Sequence, residues 1–376
     1  MTGSNALDSQ GTKPDVLILF PDDWAIYSPT LLRLVDILSE SFAVRAHVLD
    51  TGRVDNTMLD QPRFRRICLS GSIAKLLRKT GTYRPFRAMA LAHSARHAVG
   101  PHTQVIAVDA DGTMAARLLG RPFHLLSLEV GRHPLFRLIT GRHARSIIIQ
   151  SPERLQYQFG GAIASQLPVF YVQNAPEVQH HPPVRVARRE HPRLVYMGHL
   201  MPMHGLAAML NLARAWPQAT LTLLGLRNAA GMELVRAHNG DLIESGRVVV
   251  YEDYVPEAAL PTFLGDFDIG LCLYELGRRR HDFNYLSSPA GKMFNYFSAG
   301  LPVVASNLAG LSPVSLHQAG IQVDSHGVEA LIGACRTILD DYTHYSMGAS
   351  HAAMHYDFRS AVVPLADFLR CCMEHS

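Results

Sequence analysis

Short apolar runs of strand length alternate with helix-length segments along most of this chain, and the alternation breaks once and then restarts. It opens with Asp15–Phe20, the turn-forming Pro21-Asp-Asp23 and an amphipathic run from Thr30 to Ser39. Further strands are predicted at Val44–Leu49, Gln104–Val108, Phe123–Leu128, Ser146–Gln150 and Val169–Val172. From Ala175 the composition turns to Pro, His and Arg without an apolar period, and we read residues 176–192 as a linker. The pattern resumes at Leu194–Gly198 and continues through Thr220–Gly225, Val248–Tyr251, Ile269–Leu273 and Pro302–Ala305. Continuous apolar strands separated by helices imply parallel sheets covered on both faces. The expectation is an α/β chain of two Rossmann-like, doubly wound domains, residues 1–175 and 193–355, with a ligand cleft between them. Residues 356–376, helical in spacing from Phe358 to Glu374, are expected to form a C-terminal helix crossing back to the first domain.

A length of 376 residues suits two domains, and 48% apolar with 18% charged residues describes large cores under a lightly charged surface. The first fourteen residues are polar and lack the apolar centre of a secretory signal. No apolar run approaches the roughly 20 residues of a bilayer span. The five cysteines form no CxxC pair, and their odd number argues against a disulfide framework, so a reducing cytoplasm is expected. The 20 histidines are scattered without ligand spacing, so no metal is expected.

The formal charge of +3 divides unevenly: residues 1–180 carry 20 basic against 14 acidic residues (+6), and residues 181–376 carry 15 against 18 (−3). No acid lies between Asp60 and Asp109, an interval that holds Arg63, Arg65, Arg66, Lys75, Arg78, Lys79, Arg84, Arg87 and Arg96. Ile73–Lys79 and Arg87–His97 would set these cations beside Leu76, Leu77, Met89 and Leu91, which suits an anionic membrane surface over residues 61–97. A solvated Arg-rich helix fits the same pattern. The interval has no aromatic interleaving and no nucleic-acid-binding motif, so nucleic acid is not expected as a partner. No GxGxxG follows the first strand, which argues against a dinucleotide-dependent dehydrogenase.

The segment Ser287-Ser-Pro-Ala-Gly-Lys-Met-Phe-Asn-Tyr-Phe-Ser-Ala-Gly-Leu-Pro-Val-Val-Ala-Ser306 is the most pointed. It reads as a loop, a helix from about Lys292 to Ala299, a Gly300 stop and a buried strand. A helix start with free N–H groups beside a lysine favours an anion. Asn295, three residues beyond Lys292, shares its helical face. An ordinary loop–helix–strand unit with a solvated lysine would read the same way.

This segment closely resembles the donor-site motif of GT-B glycosyltransferases, particularly the retaining family called GT4 (glycosyl transferases group 1). Other pieces follow in that family's order. Leu194-Val-Tyr-Met-Gly-His-Leu-Met-Pro-Met-His-Gly-Leu206 resembles the opening of the donor domain, and Thr222-Leu-Leu-Gly225 its next strand end. Val250–Tyr274 is similar to the segment that follows, and Gln173-Asn-Ala-Pro176 to the turn that ends the first domain. In the first half, Val108–Ala116, Leu126–Val130 and Ile149–Arg154 look like acceptor-domain strands and turns of related transferases. The family's Gly-rich turn after the first strand is replaced by Pro21-Asp-Asp-Trp24.

The resemblance implies a GT-B glycosyltransferase that moves a hexosyl group from a nucleotide sugar, UDP-linked, to a hydroxyl acceptor, with no cofactor and no metal. The basic interval then suggests a lipid-linked saccharide or glycan of surface polysaccharide synthesis as the acceptor, and a cytoplasmic protein placed peripherally on the inner face of the cell membrane. It assigns His199, His204, Tyr254, Ser287, Ser288, Gly291, Lys292 and Asn295 to the donor. His199 and His204 stand where the family commonly has an Arg and a Lys; Ser287 and Asn295 stand where it has paired glutamates. Retention of configuration is implied, the leaving phosphate assisting proton removal; inverting relatives use a carboxylate of the first domain instead. Asp109, Asp111 and Glu129, near strand ends, are the catalytic candidates, although Asp111-Gly112 also suits a turn and Glu129 a cap. A catalytically silent nucleotide-sugar-binding or scaffold subunit, and a nucleotide-sugar epimerase, remain alternatives.

Overall fold

Among the described residues thirteen short strands form two sheets, every pairing between them is parallel, and the apolar runs of the sequence are their interiors. The computed structural model describes residues 13–374 apart from 54, 56–58, 161–162, 164–165, 188–189, 226–228, 252, 254 and 278–280. The chain divides into two compact units, one of residues 1–172 with 361–376 and the other of residues 173–360.

In the first unit the strands are β1 (Asp15–Phe20), β2 (Ala43–Asp50), β3 (Phe64–Cys68), β4 (Gln104–Val108), β5 (Phe123–Ser127), β6 (Ala144–Ile149) and β7 (Val169–Tyr171). Their order, β3-β2-β1-β4-β5-β6-β7, is doubly wound, and the direction of winding reverses between β1 and β4. β1, β4 and β5 are buried almost throughout, as strands covered on both faces must be. His124, a titratable side chain inside β5, is satisfied by Ser146 Oγ (2.8 Å) and Gln104 Oε1 (3.1 Å), and burial pushes its pKa down to about 3. Phe368, on the C-terminal helix Phe358–Glu374, packs its ring against His124 and Phe170 within this unit.

The second unit holds β8 (Arg193–Met197), β9 (Thr220–Leu224), β10 (Val248–Tyr251), β11 (Ile269–Cys272), β12 (Val303–Ser306) and β13 (Gly320–Val323), in the order β10-β9-β8-β11-β12-β13. Alternate residues of β8 serve opposite faces: Leu194 and Tyr196 enter one apolar cluster, Val195 and Met197 the other. Here the winding reverses between β8 and β11. Described residues of the 176–192 segment form no helix or strand and are laid along this unit: Val178 N–H donates to Asp357 (2.8 Å), and Arg185 N–H to Ser346 Oγ (2.9 Å).

The two expected helical faces of the basic interval lie on the helices Gly71–Lys79 and Tyr83–Ala95, and a strand precedes them. β3, within it, is a half-buried edge strand, and the acids that answer its neighbours come from outside the interval. Arg63 pairs with Asp36 (2.7 Å), Arg66 with Asp50 (3.3 Å) and Asp60 (3.0 Å), and Arg84 and Arg87 both with Asp111. Leu91 is wholly buried, so it belongs to the core; Ile73 and Leu76 remain exposed on the helix Gly71–Lys79 beside Lys75, Arg78 and Lys79. No helix among the described residues is long and apolar enough to cross a membrane.

Candidate active site

The reversal point of the second sheet gathers most of the donor residues that the sequence singles out. β8 ends at Met197 and runs through Gly198 into His199, while β11 ends at Cys272 and leads to Tyr274. Open α/β sheets present ligand crevices at such carboxyl ends. The helix Gly291–Ser298 begins alongside, with Ala290 at its N-cap and no side chain capping its first turn. The Nζ of Lys292 donates to Tyr274 Oη (3.1 Å) and lies 4.7 Å from the centre of that ring and 5.0 Å from the Tyr196 ring. Two aromatic faces thus hold one cation in a fixed direction. Gly198, at φ +139°, leaves the room: a Cβ there would meet Lys292 Cε at 3.0 Å.

The two histidines stack nearly parallel, 6.4 Å apart. Tyr196 Oη donates to the carbonyl of His199 (2.7 Å), and His204 Nδ1 lies 2.8 Å from that carbonyl and 3.0 Å from Tyr196 Oη. A carbonyl only accepts, so His204 carries its hydrogen on Nδ1 and leaves Nε2 as a bare lone pair while neutral. Burial first, then Lys292, lowers the His204 pKa to about 4; the same two causes lower that of His199. Where the family commonly has two further cations, the described residues place two neutral rings beside Lys292.

The remaining donor candidates separate. Asn295 is half-buried one helical turn beyond Lys292. Gly291 opens the helix against the Gln173–Pro176 turn, where a Cβ would meet Asn174 Nδ2 at 2.9 Å. Ser288 is exposed, whereas Ser287 is buried and its hydroxyl donates to the Phe283 carbonyl (2.6 Å). Tyr254 lies outside the described residues. Sequence reasoning missed Tyr196 and Tyr274, because strand-end tyrosines in apolar runs read as core.

In the first unit Asp109, Asp111 and Glu129 line one recess of about 180 Å3 at the β1/β4 reversal, together with Asp22, Trp24 and Arg87. They are not equivalent. Asp111 is buried and held by Arg84 (3.0 Å) and Arg87, and Arg87 is held in turn by Asp22 (2.9 Å). Glu129 is exposed. Asp109 sits at φ +52°, a conformation that costs free energy for any residue with a side chain, and one of its oxygens accepts from the N–H groups of Leu128 (2.8 Å) and Glu129 (3.0 Å). Burial pushes its pKa up to about 7 despite those two hydrogen bonds and the Arg154 charge nearby.

Because the folded pKa of Asp109 lies above the ordinary 3.8, the group weakens the fold progressively as pH climbs from about 3.8 to about 7. Asp109→Asn keeps an acceptor for both amides and tolerates the left-handed backbone. It is expected to stabilise the protein by about 1–3 kcal/mol at pH 7, with the gain vanishing near pH 4, as read by denaturant unfolding at the two pH values. A variant equally destabilised at both would refute the buried-carboxylate account.

No family model and no curated protein sequence matches the chain. Among solved structures it is similar to Anabaena HepE in complex with UDP (TM-score 0.66, 16% identity), covering 95% of this chain and 100% of that one. Sucrose-phosphate synthase from Thermosynechococcus elongatus superimposes with TM-score 0.68 at 16% identity, over 97% of this chain and 100% of the other. An alpha,alpha-trehalose-phosphate synthase (UDP-forming) from Burkholderia vietnamiensis gives 0.66 at 10% identity, over 95% and 100%. These neighbours are GT-B glycosyltransferases, and the likeness spans both units, so the chain has the GT-B fold.

Proposed function

We propose that the chain transfers a sugar from a UDP-sugar held by the second unit to a hydroxyl acceptor held by the first. The observation that carries this reading is Lys292, fixed between two phenol rings beside an uncapped helix start at the sheet's reversal point. Such a cation with free N–H groups stabilises a departing diphosphate by electrostatic preorganisation. Gly291, Asn295, His199, His204 and Ser288 complete the donor contacts in this proposal, together with Tyr254 and the backbone about Ser287. HepE has been solved in complex with UDP-glucose, which supports the choice of donor class. Among the described residues no group of three or more His, Cys, Asp or Glu side chains is arranged to hold a metal ion. In this proposal Lys292 and helix N–H groups, rather than a metal or a cofactor, stabilise the diphosphate.

A thermal-shift panel of nucleotide sugars tests the donor. UDP-sugars are expected to raise the unfolding temperature more than GDP-, ADP- or CMP-sugars; protection by none of them would refute the donor site.

Retention of configuration is the outcome proposed, with the leaving phosphate receiving the acceptor proton. One observation favours inversion instead: a carboxyl poised near pH 7 at Asp109 has the proton affinity of a general base at working pH. The anomeric coupling constant of the product, read by proton NMR, separates the two. The acceptor proposed is a lipid-linked saccharide or glycan at the inner face of the cell membrane, supported by the exposed Ile73 and Leu76 among Lys75, Arg78 and Lys79.

A further inference from the structure

An apolar groove adjoins the carboxylate recess of the first unit. The helices Tyr83–Ala95, Asp109–Leu118 and Pro134–His143 leave between them a cavity of about 380 Å3, whose walls include Met89, Met114, Leu118, Leu135 and Ile139. The helix Asp109–Leu118 explains why it is open: Gly112, Thr113, Ala115 and Ala116 are buried, so its larger residues Met114 and Leu118, four apart, share an outer face. A Cβ at Gly112 would meet the Leu19 carbonyl at 2.8 Å, which fixes that orientation. Met89, Leu118 and Leu135 stay 53%, 55% and 48% exposed, with Leu138 alongside at 48%. A concave apolar wall beside a few polar groups is the usual form of a small-molecule site.

The surroundings select the occupant. Arg84 and Asp111 line both this groove and the recess of Asp109 and Glu129, so the apolar walls lead directly to the carboxylates. The Arg84 side chain, 67% exposed, stands at the junction and can meet an anionic linkage. The walls are helices, which offer no strand edge for an extended peptide to pair with. A hydrocarbon chain makes no such demand.

We propose that this groove seats the apolar tail of the acceptor, a single alkyl or isoprenoid chain whose polar head places the reacting hydroxyl at the Asp109–Glu129 recess. The inference rests on the reading of the first unit as the acceptor side. It narrows the acceptor to an amphiphile with its tail close to the reacting end, a shape that a free polysaccharide lacks.

The test uses the full chain and n-alkyl β-glucosides from hexyl to decyl, each below its micelle concentration, titrated calorimetrically. Affinity is expected to rise about threefold to fourfold per added methylene, with one site per chain. Met114→Gln and Leu118→Gln, at outward positions, are expected to flatten that slope while leaving UDP binding unchanged. A slope absent in the wild type, or equal in wild type and variants, overturns the proposal. Binding to anionic vesicles with none to monomeric glucosides also overturns it, in favour of a bilayer-facing patch. UDP titrated into the same samples judges the donor site separately: UDP binding without a chain-length slope refutes the groove alone, and a slope without UDP binding upholds the groove while refuting the donor site.

Discussion

Lys292→Ala is expected to weaken UDP binding about 100-fold, and Lys292→Arg to recover little of it. A diphosphate oxygen contacting a side-chain cation forms charge-assisted hydrogen bonds, and losing about 3 kcal/mol there corresponds to roughly that factor. The arginine expectation follows from shape. Lys292 Nζ lies between rings at 4.7 and 5.0 Å, donates to Tyr274 Oη at 3.1 Å, and its stem passes close to Gly198. A planar five-donor guanidinium cannot occupy the place of a compact ammonium without moving one of those rings. Calorimetric titration of wild type and both variants, with unfolding midpoints to confirm folding, makes the measurement. Affinity within threefold of wild type in the alanine variant would remove the diphosphate from this helix.

The size of that effect depends on what surrounds the lysine. A site with several fixed cations shares its anion among them, and losing one is partly covered by the rest. Here the adjacent rings of His199 and His204 have pKa values lowered by burial and by Lys292 itself, so among the described residues Lys292 is the cation of this site near neutral pH. Tyr196 adds no charge, since burial raises its pKa.

Much of the framework was legible because parallel sheets write themselves as apolar runs: β1, β4, β8, β10 and β11 lie within a residue or so of their expected places. β3 was not legible, since an edge strand buries few of its residues and Arg65 and Arg66 hide the rest of its signal. β13, Gly-Ile-Gln-Val, is likewise short and half-buried. The ion pairs of the basic interval were hidden for a different reason. Its counter-charges, Asp22, Asp36, Asp50 and Asp111, are remote in sequence and meet it only through sheet pairing and helix packing. At the site, Lys292 announces itself by its place at a helix start, which is local information. The Tyr196–Tyr274 pair that aims it needs β8 and β11 to be neighbours, although Ile269–Leu271 pairs with Leu194–Tyr196 from 75 positions away. Asp109 shows the same limit: its residue type was readable, but its left-handed backbone and raised pKa come from the way β4 ends beneath the Leu128–Glu129 turn.

Donor binding is expected to take up close to one proton, at His204. The carbonyl of His199 fixes the His204 hydrogen on Nδ1, so Nε2 can donate to a phosphate oxygen only as imidazolium. The groups facing this ring are Tyr196 and His199 from the β8 end, Tyr274 beyond β11 and Lys292 from the helix; of these, Lys292 and His199 lower its pKa, and the hydrogen bond to the His199 carbonyl raises it. Burial and these groups together set the value at about 4. A diphosphate brings negative charge that offsets Lys292 and raises it. A group whose pKa rises on binding favours the complex at low pH, so affinity falls as pH climbs from about 4 toward the pKa of the complex. The expected slope approaches a tenfold loss per pH unit across that window. UDP-glucose is the suitable probe because, unlike UDP, it has no terminal phosphate titrating near neutrality. Titrations at one pH in buffers of different ionisation enthalpy count the protons directly. His204→Lys, charged throughout, is expected to abolish both the uptake and the pH slope while keeping affinity at pH 8, whereas His204→Gln should bind weakly at every pH. Proton uptake unchanged in the lysine variant would assign the titration to His199 instead, and a wild type with no uptake would mean that His204 meets the donor as a neutral acceptor, through a sugar hydroxyl.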